Sequence, residues 1–257
     1  MGLARTLAGL TSALLLASAA QAAPPPDYQW RAVEAENLLV VELARGKIYI
    51  ELRPDLAPNH VARIRELARE GYYDGALFYR VIASYFAQGG ARSVTGPFES
   101  SKPNLKAEFT VAGVDPAAEW LGPLPLKRDA DGTTYARFCP GTAAFPHYDD
   151  PDSANSQIYL MRESGPSLER QYTVFGRVVV GLDVVRAIAP GEPPAVPDAM
   201  LKVRVASDIP ASERPTVEVA DASSAAFRKD VEKMRKQRDK ALLPFSLCDV
   251  PLPARLR

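Results

Sequence analysis

The sequence predicts a mainly β protein, a closed antiparallel barrel capped by two helices. The runs 38–43 and 47–52 are rich in Val, Leu and Ile and are separated by the turn Ala44-Arg45-Gly46, which is the pattern of a β-hairpin. In the second run every other residue is Ile or Leu, so we expect one face of that strand to meet the core. The segment from Leu201 to Ala206 alternates in the same way and predicts the last strand.

Two helical patterns accompany the strands, one early and one late in the chain. The first begins at Pro58, a residue favoured in the first helical turn, and ends before Gly71. Its apolar side is expected to consist of Val61, Ile64, Leu67 and Ala68. The second covers residues 182–188 and is followed by Pro190-Gly191; its apolar face is Leu182, Val185 and Ile188.

The first 22 residues have the pattern of a secretory signal peptide. Arg5 precedes an apolar run from Leu7 to Ala20, and Ala20-Gln21-Ala22 supplies the small residues of a cleavage site. The run is shorter than the roughly 20 residues that span a bilayer, which argues against an uncleaved anchor. We therefore expect cleavage after Ala22 or Ala23 and a mature protein that is periplasmic or secreted.

The charge balance and the histidines narrow the choice of function. Lys and Arg number 31, as do Asp and Glu, so no overall field attracts the chain to nucleic acid or to a charged membrane. We expect no nucleic-acid partner, no stable membrane insertion after signal cleavage, and a monomer. The only histidines, His60 and His147, have no neighbouring ligands at metal-binding spacing, so the sequence predicts no metal site.

The two cysteines, Cys139 and Cys248, are far apart in the sequence. In an oxidising compartment two exported cysteines often pair, so we favour a disulfide and keep two free thiols as the alternative. There is no Cys-x-x-Cys motif, which argues against a redox enzyme.

The most informative stretch is Phe78 to Gly90, which consists of two short apolar runs joined by a turn. If the two runs pair as strands, Arg80 lies on the face of Phe78, and Gln88 lies on the face of Phe86. A guanidinium, an amide and an aromatic ring can then meet on one surface. A simpler alternative is that Arg80 pairs with a carboxylate at the edge of the sheet.

This stretch resembles the central motif of the cyclophilins, which are peptidyl-prolyl cis-trans isomerases. Further segments resemble the family in the right order, and the resemblance extends from about residue 38 to about residue 210. Gly46 to Pro58 resembles the family's first strand pair and helix start, and Gly71 to Gly75 resembles its approach to the catalytic strand. Downstream, Asp150 to Leu160 resembles a loop and strand of the family, and Tyr172 to Val179 its closing strand. The resemblance implies a closed eight-stranded antiparallel barrel in an exported bacterial isomerase.

The resemblance also implies roles for individual residues. Arg80 would be the catalytic residue, and Gln88 would orient the substrate or the arginine. The substrate pocket would be formed by Tyr85, Phe86, Tyr159, Leu168 and Tyr172, with Phe145 and Gln157 lining the adjoining groove. No cofactor is needed, and the partners would be polypeptides that contain proline.

Several positions depart from the family pattern. Tyr85 and Tyr159 stand where the family usually has pocket phenylalanines. The remaining departures are Tyr79 for a histidine, Ala91 for an acidic residue, Pro146 for a small residue and Ser167 for the tryptophan of some members. Because Arg80 is intact, we expect activity with a shifted substrate preference. The alternative is a catalytically weak module, or a chaperone, that binds proline-containing segments on a cyclophilin scaffold. A serine hydrolase is disfavoured because no Gly-x-Ser-x-Gly motif is present.

Outside the resemblance, three segments are additions to the domain at 38–210. Residues 23–37 are predicted as a linker, about 111–140 as an inserted loop, and 211–257 as a C-terminal extension with a helix at about 221–242. That helix would have Phe227, Val231 and Met234 along one side. We expect a solvated helix docked on the barrel, with a partner-binding or membrane-surface helix as the alternative.

Overall fold

The computed structural model describes residues 27–257, which form fifteen strands and three α-helices. The predicted signal peptide and its cleavage site lie outside the described residues. The strands are β1 (Trp30–Ala32), β2 (Leu38–Leu43), β3 (Gly46–Leu52), β4 (Ala76–Val81), β5 (Phe86–Ala91), β6 (Trp120–Leu121), β7 (Leu124–Arg128), β8 (Thr134–Ala136), β9 (Thr142–Phe145), β10 (Ile158–Met161), β11 (Thr173–Val180), β12 (Ala199–Met200), β13 (Lys202–Val205), β14 (Val217–Ala220) and β15 (Ala254–Leu256). The helices are α1 (Pro58–Arg69), α2 (Leu182–Ala187) and α3 (Ala225–Lys240).

The largest sheet is an antiparallel barrel with the strand order β12-β4-β5-β10-β9-β11-β3-β2-β13. Its two end strands, β12 and β13, are separated by Leu201 alone, and they pair with β4 and β2 respectively. They therefore act as one broken strand that closes the barrel. The predicted eight-stranded closed barrel is confirmed, because the ninth strand arises only from this break. Leu201 is 52% exposed at the break, whereas Val203 and Val205, which share the inner face of β13, are buried.

Helix α1 packs against the barrel through the predicted apolar stripe. Val61, Ile64, Leu67 and Ala68 are all buried. The helix has no side-chain cap of its own, since Ala57 precedes it. Instead the carboxylate of Glu108 accepts hydrogen bonds from the backbone N–H groups of Asn59 and His60, each at 3.2 Å. A carboxylate at this position satisfies free N–H groups and complements the helix dipole.

The inserted and terminal segments are more ordered than the sequence indicates. Strands β6, β7 and β8 form a small sheet within the predicted loop at about 111–140. A second small sheet has the order β1-β14-β15, so strand β1 in the predicted linker pairs with strand β14 of the extension. The predicted linker therefore contains a short paired strand. Strand β14 supplies backbone hydrogen-bond partners to β1 on one side and to β15 on the other, and its Val217 and Val219 are buried.

Helix α3 was expected to dock on the barrel, but its buried face packs on Trp120 of the insertion and on the terminal segments. Phe227 and Val231 are buried, and the Phe227 ring meets Trp120 of β6 edge-on, with 5.2 Å between ring centroids. A disulfide joins Cys139 to Cys248, and it links the barrel side of the insertion to the extension. Within residues 27–257, none of the helices combines the length and hydrophobicity needed to cross a bilayer.

Candidate active site

The β4–β5 hairpin places Arg80 opposite Gln88. The pairing register shifts by one residue between Phe78 and Arg80. Because of this shift Phe78 and Val81 both face the barrel core, while the side chain of Arg80 is 45% exposed on the other face. The prediction that Phe78 and Arg80 share a face was wrong, since strict alternation does not hold across a bulge. The bulge is what turns the guanidinium outward.

A directional chain of hydrogen bonds runs from Arg80 to a carboxylate. Arg80 Nη1 donates to Gln88 Oε1 at 3.3 Å, and Gln88 Nε2 donates to Gln157 Oε1 at 2.9 Å. Gln157 Nε2 in turn donates to Glu99 Oε1. Gln88 Nε2 also donates to the hydroxyl of Tyr79 at 3.0 Å. Because its amide nitrogen is engaged twice, the oxygen of Gln88 must face Arg80.

Close approach of two strands makes this chain possible. Gly90 has a φ of 119°, and a Cβ built on it would lie 3.1 Å from the Cα of Gln157. A glycine is therefore needed, both for the backbone angle and for the space. It lets β5 and the chain before β10 approach until the two glutamine amides touch.

An aromatic pocket lies beside the guanidinium. Arg80 Cζ is 5.1 Å from the centroid of the Phe86 ring, within the range of a cation–π contact. The Phe86 ring is 5.4 Å from that of Tyr159, which meets Tyr172 edge-on at 5.8 Å. Leu168 packs against the same cluster. The predicted pocket residues are thus brought together around Phe86.

The two tyrosines that replace the family's usual residues differ in their surroundings. The hydroxyl of Tyr85 lies 3.0 Å from Ser167 Oγ, so it has a polar partner. The hydroxyl of Tyr159 is buried and has no hydrogen-bond partner among residues 27–257. Burial raises the pKa of Tyr159 well above its ordinary value, so the group stays protonated.

Phe145 does not line the groove, contrary to the prediction. It is fully buried inside the barrel, where its ring centroid lies 4.8 Å from that of His60 and 5.3 Å from that of Phe175. Alternation along β9 explains the position, because Ala144 faces the pocket and its neighbour must face the core. His147, two residues later, is the groove residue, and it stacks on Tyr172 at 4.5 Å.

The adjoining groove is a cavity of about 190 Å³. Its lining consists of Tyr79, Gln88, Phe98, Glu99, Pro146, His147, Tyr148 and Gln157. Of the two predicted groove residues, only Gln157 lies there. Glu99 was not predicted, and its Oε2 is buried without a hydrogen-bond partner in the described part of the chain. The groove lining therefore contains one carboxylate, that of Glu99.

A second residue that sequence reasoning missed is Glu192. Its Oε2 accepts a hydrogen bond from Arg80 Nε at 2.7 Å. Backbone hydrogen bonds in both directions between Val81 and Gly191, at 2.8 and 2.9 Å, hold the loop beside β4. Arg80 therefore pairs with a carboxylate, as the simpler alternative proposed, and also lies beside the predicted pocket. No local pattern indicates this partner, which follows 112 residues after Arg80.

Metal binding has no support in the part of the chain that the structure describes. Within the described range 27–257, no group of three or more His, Cys, Asp or Glu side chains is placed to hold one. The chemistry that the geometry can supply is hydrogen-bond donation by a guanidinium beside an apolar pocket.

Comparisons with known proteins agree with this arrangement. Residues 38–207 match the family described as "Cyclophilin type peptidyl-prolyl cis-trans isomerase/CLD". A Brucella suis protein named "Probable peptidyl-prolyl cis-trans isomerase" is 37% identical over 182 residues, which cover 69% of this chain and 86% of that protein. Peptidyl-prolyl cis-trans isomerase B of Bacillus subtilis is 31% identical over 160 residues, or 62% of this chain and 91% of that protein.

Solved structures give the same result. The crystal structure of cyclophilin AquaCyp293 from Hirschia baltica superimposes with a TM-score of 0.76 and 29% identity, and covers 88% of this chain and 93% of that one. A Cryptosporidium parvum cyclophilin type isomerase, solved in the presence of the dipeptide Ala-Pro, shares the fold with a TM-score of 0.50 and 19% identity, over 65% of this chain and 98% of its own. The chain therefore belongs to the cyclophilin-type peptidyl-prolyl cis-trans isomerases.

Proposed function

We propose that this isomerase accelerates X-Pro isomerisation in exported proteins, assists their folding, and uses Arg80 as its electrophile. The observation that carries the proposal is the guanidinium of Arg80, which is fixed at the edge of an aromatic pocket by Gln88 and half-exposed to a substrate. The neighbour solved with Ala-Pro supports a proline-containing partner.

Rotation about an X-Pro bond is slow because amide resonance gives the carbon–nitrogen bond partial double-bond character. When the bond twists, resonance is lost and the prolyl nitrogen regains a lone pair that accepts a hydrogen bond. A guanidinium N–H aimed at this nitrogen therefore interacts more strongly with the transition state than with the planar ground state. Such a donor lowers the barrier without forming any covalent bond.

The pocket supplies the second requirement, a seat for the proline ring. Phe86 and Tyr159 are buried and form the base, while Tyr172 is half-buried at the side. A proline ring packed on them would stay still while the preceding carbonyl swings. Since Arg80 lies over Phe86, the ring and the prolyl nitrogen would lie on the same side of the guanidinium.

Export is supported by two features. Residues 1–22 have the composition of a signal peptide, and the described residues contain a disulfide, which persists in oxidising compartments. Fractionation of cells that express the full chain, followed by N-terminal sequencing, tests this. We expect a periplasmic or secreted protein that begins at Ala23 or Pro24; an unprocessed cytosolic chain would contradict export.

The enzymatic proposal is tested with a disulfide-free substrate protein whose refolding is limited by an X-Pro bond. Catalytic amounts of the mature chain should speed the slow refolding phase, and Arg80→Ala should remove the effect. A slow phase that the native chain leaves unchanged would contradict folding assistance.

A binding module remains the second candidate. It is favoured by Pro146 in the groove wall, since a proline there alters the surface that a proline segment would contact. Saturable binding of a proline peptide, with no change in its isomerisation rate, would support this second function.

A further inference from the structure

Arg80 is held by a carboxylate that no feature of the central motif supplies. Glu192 Oε2 lies 2.7 Å from Arg80 Nε, and the side chains are 51% and 45% exposed respectively. Glu192 belongs to a loop, but Gly191 next to it forms a two-way backbone bridge with Val81, the residue after Arg80. The loop is therefore fixed to the same strand that carries the guanidinium.

The contacts of the guanidinium use different atoms. A guanidinium is planar and has five N–H donors in a rigid fork. Nε donates to Glu192, and Nη1 donates to Gln88. The Phe86 ring lies against the group. Two anchors at separate nitrogens fix both the rotation and the plane of the group, and Nη2 has no partner among residues 27–257.

We propose that Glu192 is a positioning residue for this isomerase, which holds Arg80 by Nε so that its Nη groups face the prolyl nitrogen. The inference rests on the proposed catalytic role of Arg80. An arginine side chain has four flexible bonds, so on an exposed surface it samples many orientations unless it is anchored. Holding it in one of them before the substrate arrives raises the rate of the chemical step rather than the affinity.

Glu192 could have the opposite effect, because a carboxylate also weakens the positive field of the guanidinium. The exposure of both side chains decides between the two effects. Water and salt screen the charge of a half-exposed pair, whereas the direction of the hydrogen bond is unaffected by screening. Orientation should therefore dominate, and its loss should cost about fivefold in kcat, the upper range expected for an exposed pair.

The test compares Glu192→Ala, Glu192→Gln and the control Glu119→Ala. Glu119 pairs with Arg235 at the same 2.7 Å, with side-chain exposures of 46% and 34%, but it lies on the insertion beside α3, away from the pocket. We expect a kcat about fivefold lower for Glu192→Ala with KM unchanged. Glu192→Gln, which keeps an oxygen acceptor, should recover at least half of the native kcat, and Glu119→Ala should equal the native protein.

A spectroscopic signature separates positioning from a general structural role. In ¹H–¹⁵N spectra the Arg80 Nε–H resonance should be shifted and protected from exchange in the native protein, and should lose both properties in Glu192→Ala. The melting temperature of that variant should not change, because the pair is exposed.

Three results would overturn the inference: a kcat for Glu192→Ala equal to or above the native value, a glutamine variant as slow as the alanine variant, or an unchanged Arg80 resonance. An inactive native protein would overturn the proposed function as well. An active native protein with an unaffected Glu192→Ala would overturn the positioning role alone.

Discussion

Tyr159→Phe should stabilise the protein, although it removes a polar atom from the pocket. The Tyr159 side chain is 3% exposed, and its hydroxyl has no partner among the described residues. Its ring is enclosed by Phe86 at 5.4 Å, by Phe138 at 6.3 Å and by Tyr172 at 5.8 Å. The substitution keeps the ring and all three aromatic contacts. It removes only a hydroxyl that gives up its hydrogen bonds to water on folding and forms none in the described part of the protein.

The magnitude follows from two opposing effects. An unsatisfied buried hydroxyl costs about 1–3 kcal/mol of desolvation. Deleting one oxygen atom leaves a void smaller than a methyl group, which costs less than about 1 kcal/mol. The free energy of unfolding should therefore rise by roughly 1–2 kcal/mol, or a few degrees in Tm for a chain of this size.

Urea unfolding of the mature, oxidised protein measures this change. Tyr172→Phe is the matched control, because Tyr172 belongs to the same cluster but is half-buried and its hydroxyl reaches water. We expect little change in the control. A Tyr159→Phe variant less stable than the native protein would refute the reasoning, since it would mean that the hydroxyl has a partner in the folded state.

Two further predictions concern the rest of the fold. Cys139 and Cys248 are 109 residues apart, and closing a loop of this size stabilises a protein by about 4–5 kcal/mol through the unfolded chain, so reduction or Cys248→Ala should lower the urea midpoint strongly. A midpoint that does not respond to reductant would contradict the disulfide. Burial lowers the pKa of His60, although Glu108 opposes this shift, so the unfolded chain binds the proton more readily than the folded protein. Stability should therefore be complete above pH 6.5 and fall as the pH drops towards 5, by at most about 1.4 kcal/mol per unit, and His60→Leu should flatten this slope. A native slope that persists in His60→Leu would contradict the assignment.

Much of the barrel could be predicted because its signals are local. The stripe from Val61 to Ala68 has helical spacing, and Pro58 marks the start of α1, so the buried face of that helix follows from neighbouring residues alone. Arg80 and Gln88 lie within one hairpin, and their pairing across it follows from the length of the turn.

The errors occurred where local pattern and tertiary geometry diverge. Because of the bulge at Tyr79, Phe78 and Arg80 lie on opposite faces of β4. No residue type in that strand predicts a bulge. The family resemblance implies a groove position for Phe145, but alternation along β9 turns it into the core.

Apart from the disulfide between Cys139 and Cys248, contacts between residues distant in sequence could not be predicted. Glu192 contacts Arg80 because its loop is hydrogen-bonded to β4. Glu99 is linked to Arg80 through the hydrogen bonds of Gln157 and Gln88. Strand β1 likewise pairs with β14, from which the whole barrel separates it in sequence. In each case the stabilising contact is made by residues far apart in the chain.

The most direct test of the account is two-dimensional exchange NMR on a short Ala-Pro peptide with catalytic amounts of the mature protein or of Arg80→Ala. Cross-peaks between the cis and trans forms should appear with the native protein and disappear with the variant, while the peptide still binds to both through the aromatic pocket. Exchange that persists undiminished in Arg80→Ala would contradict the central claim that this guanidinium lowers the barrier.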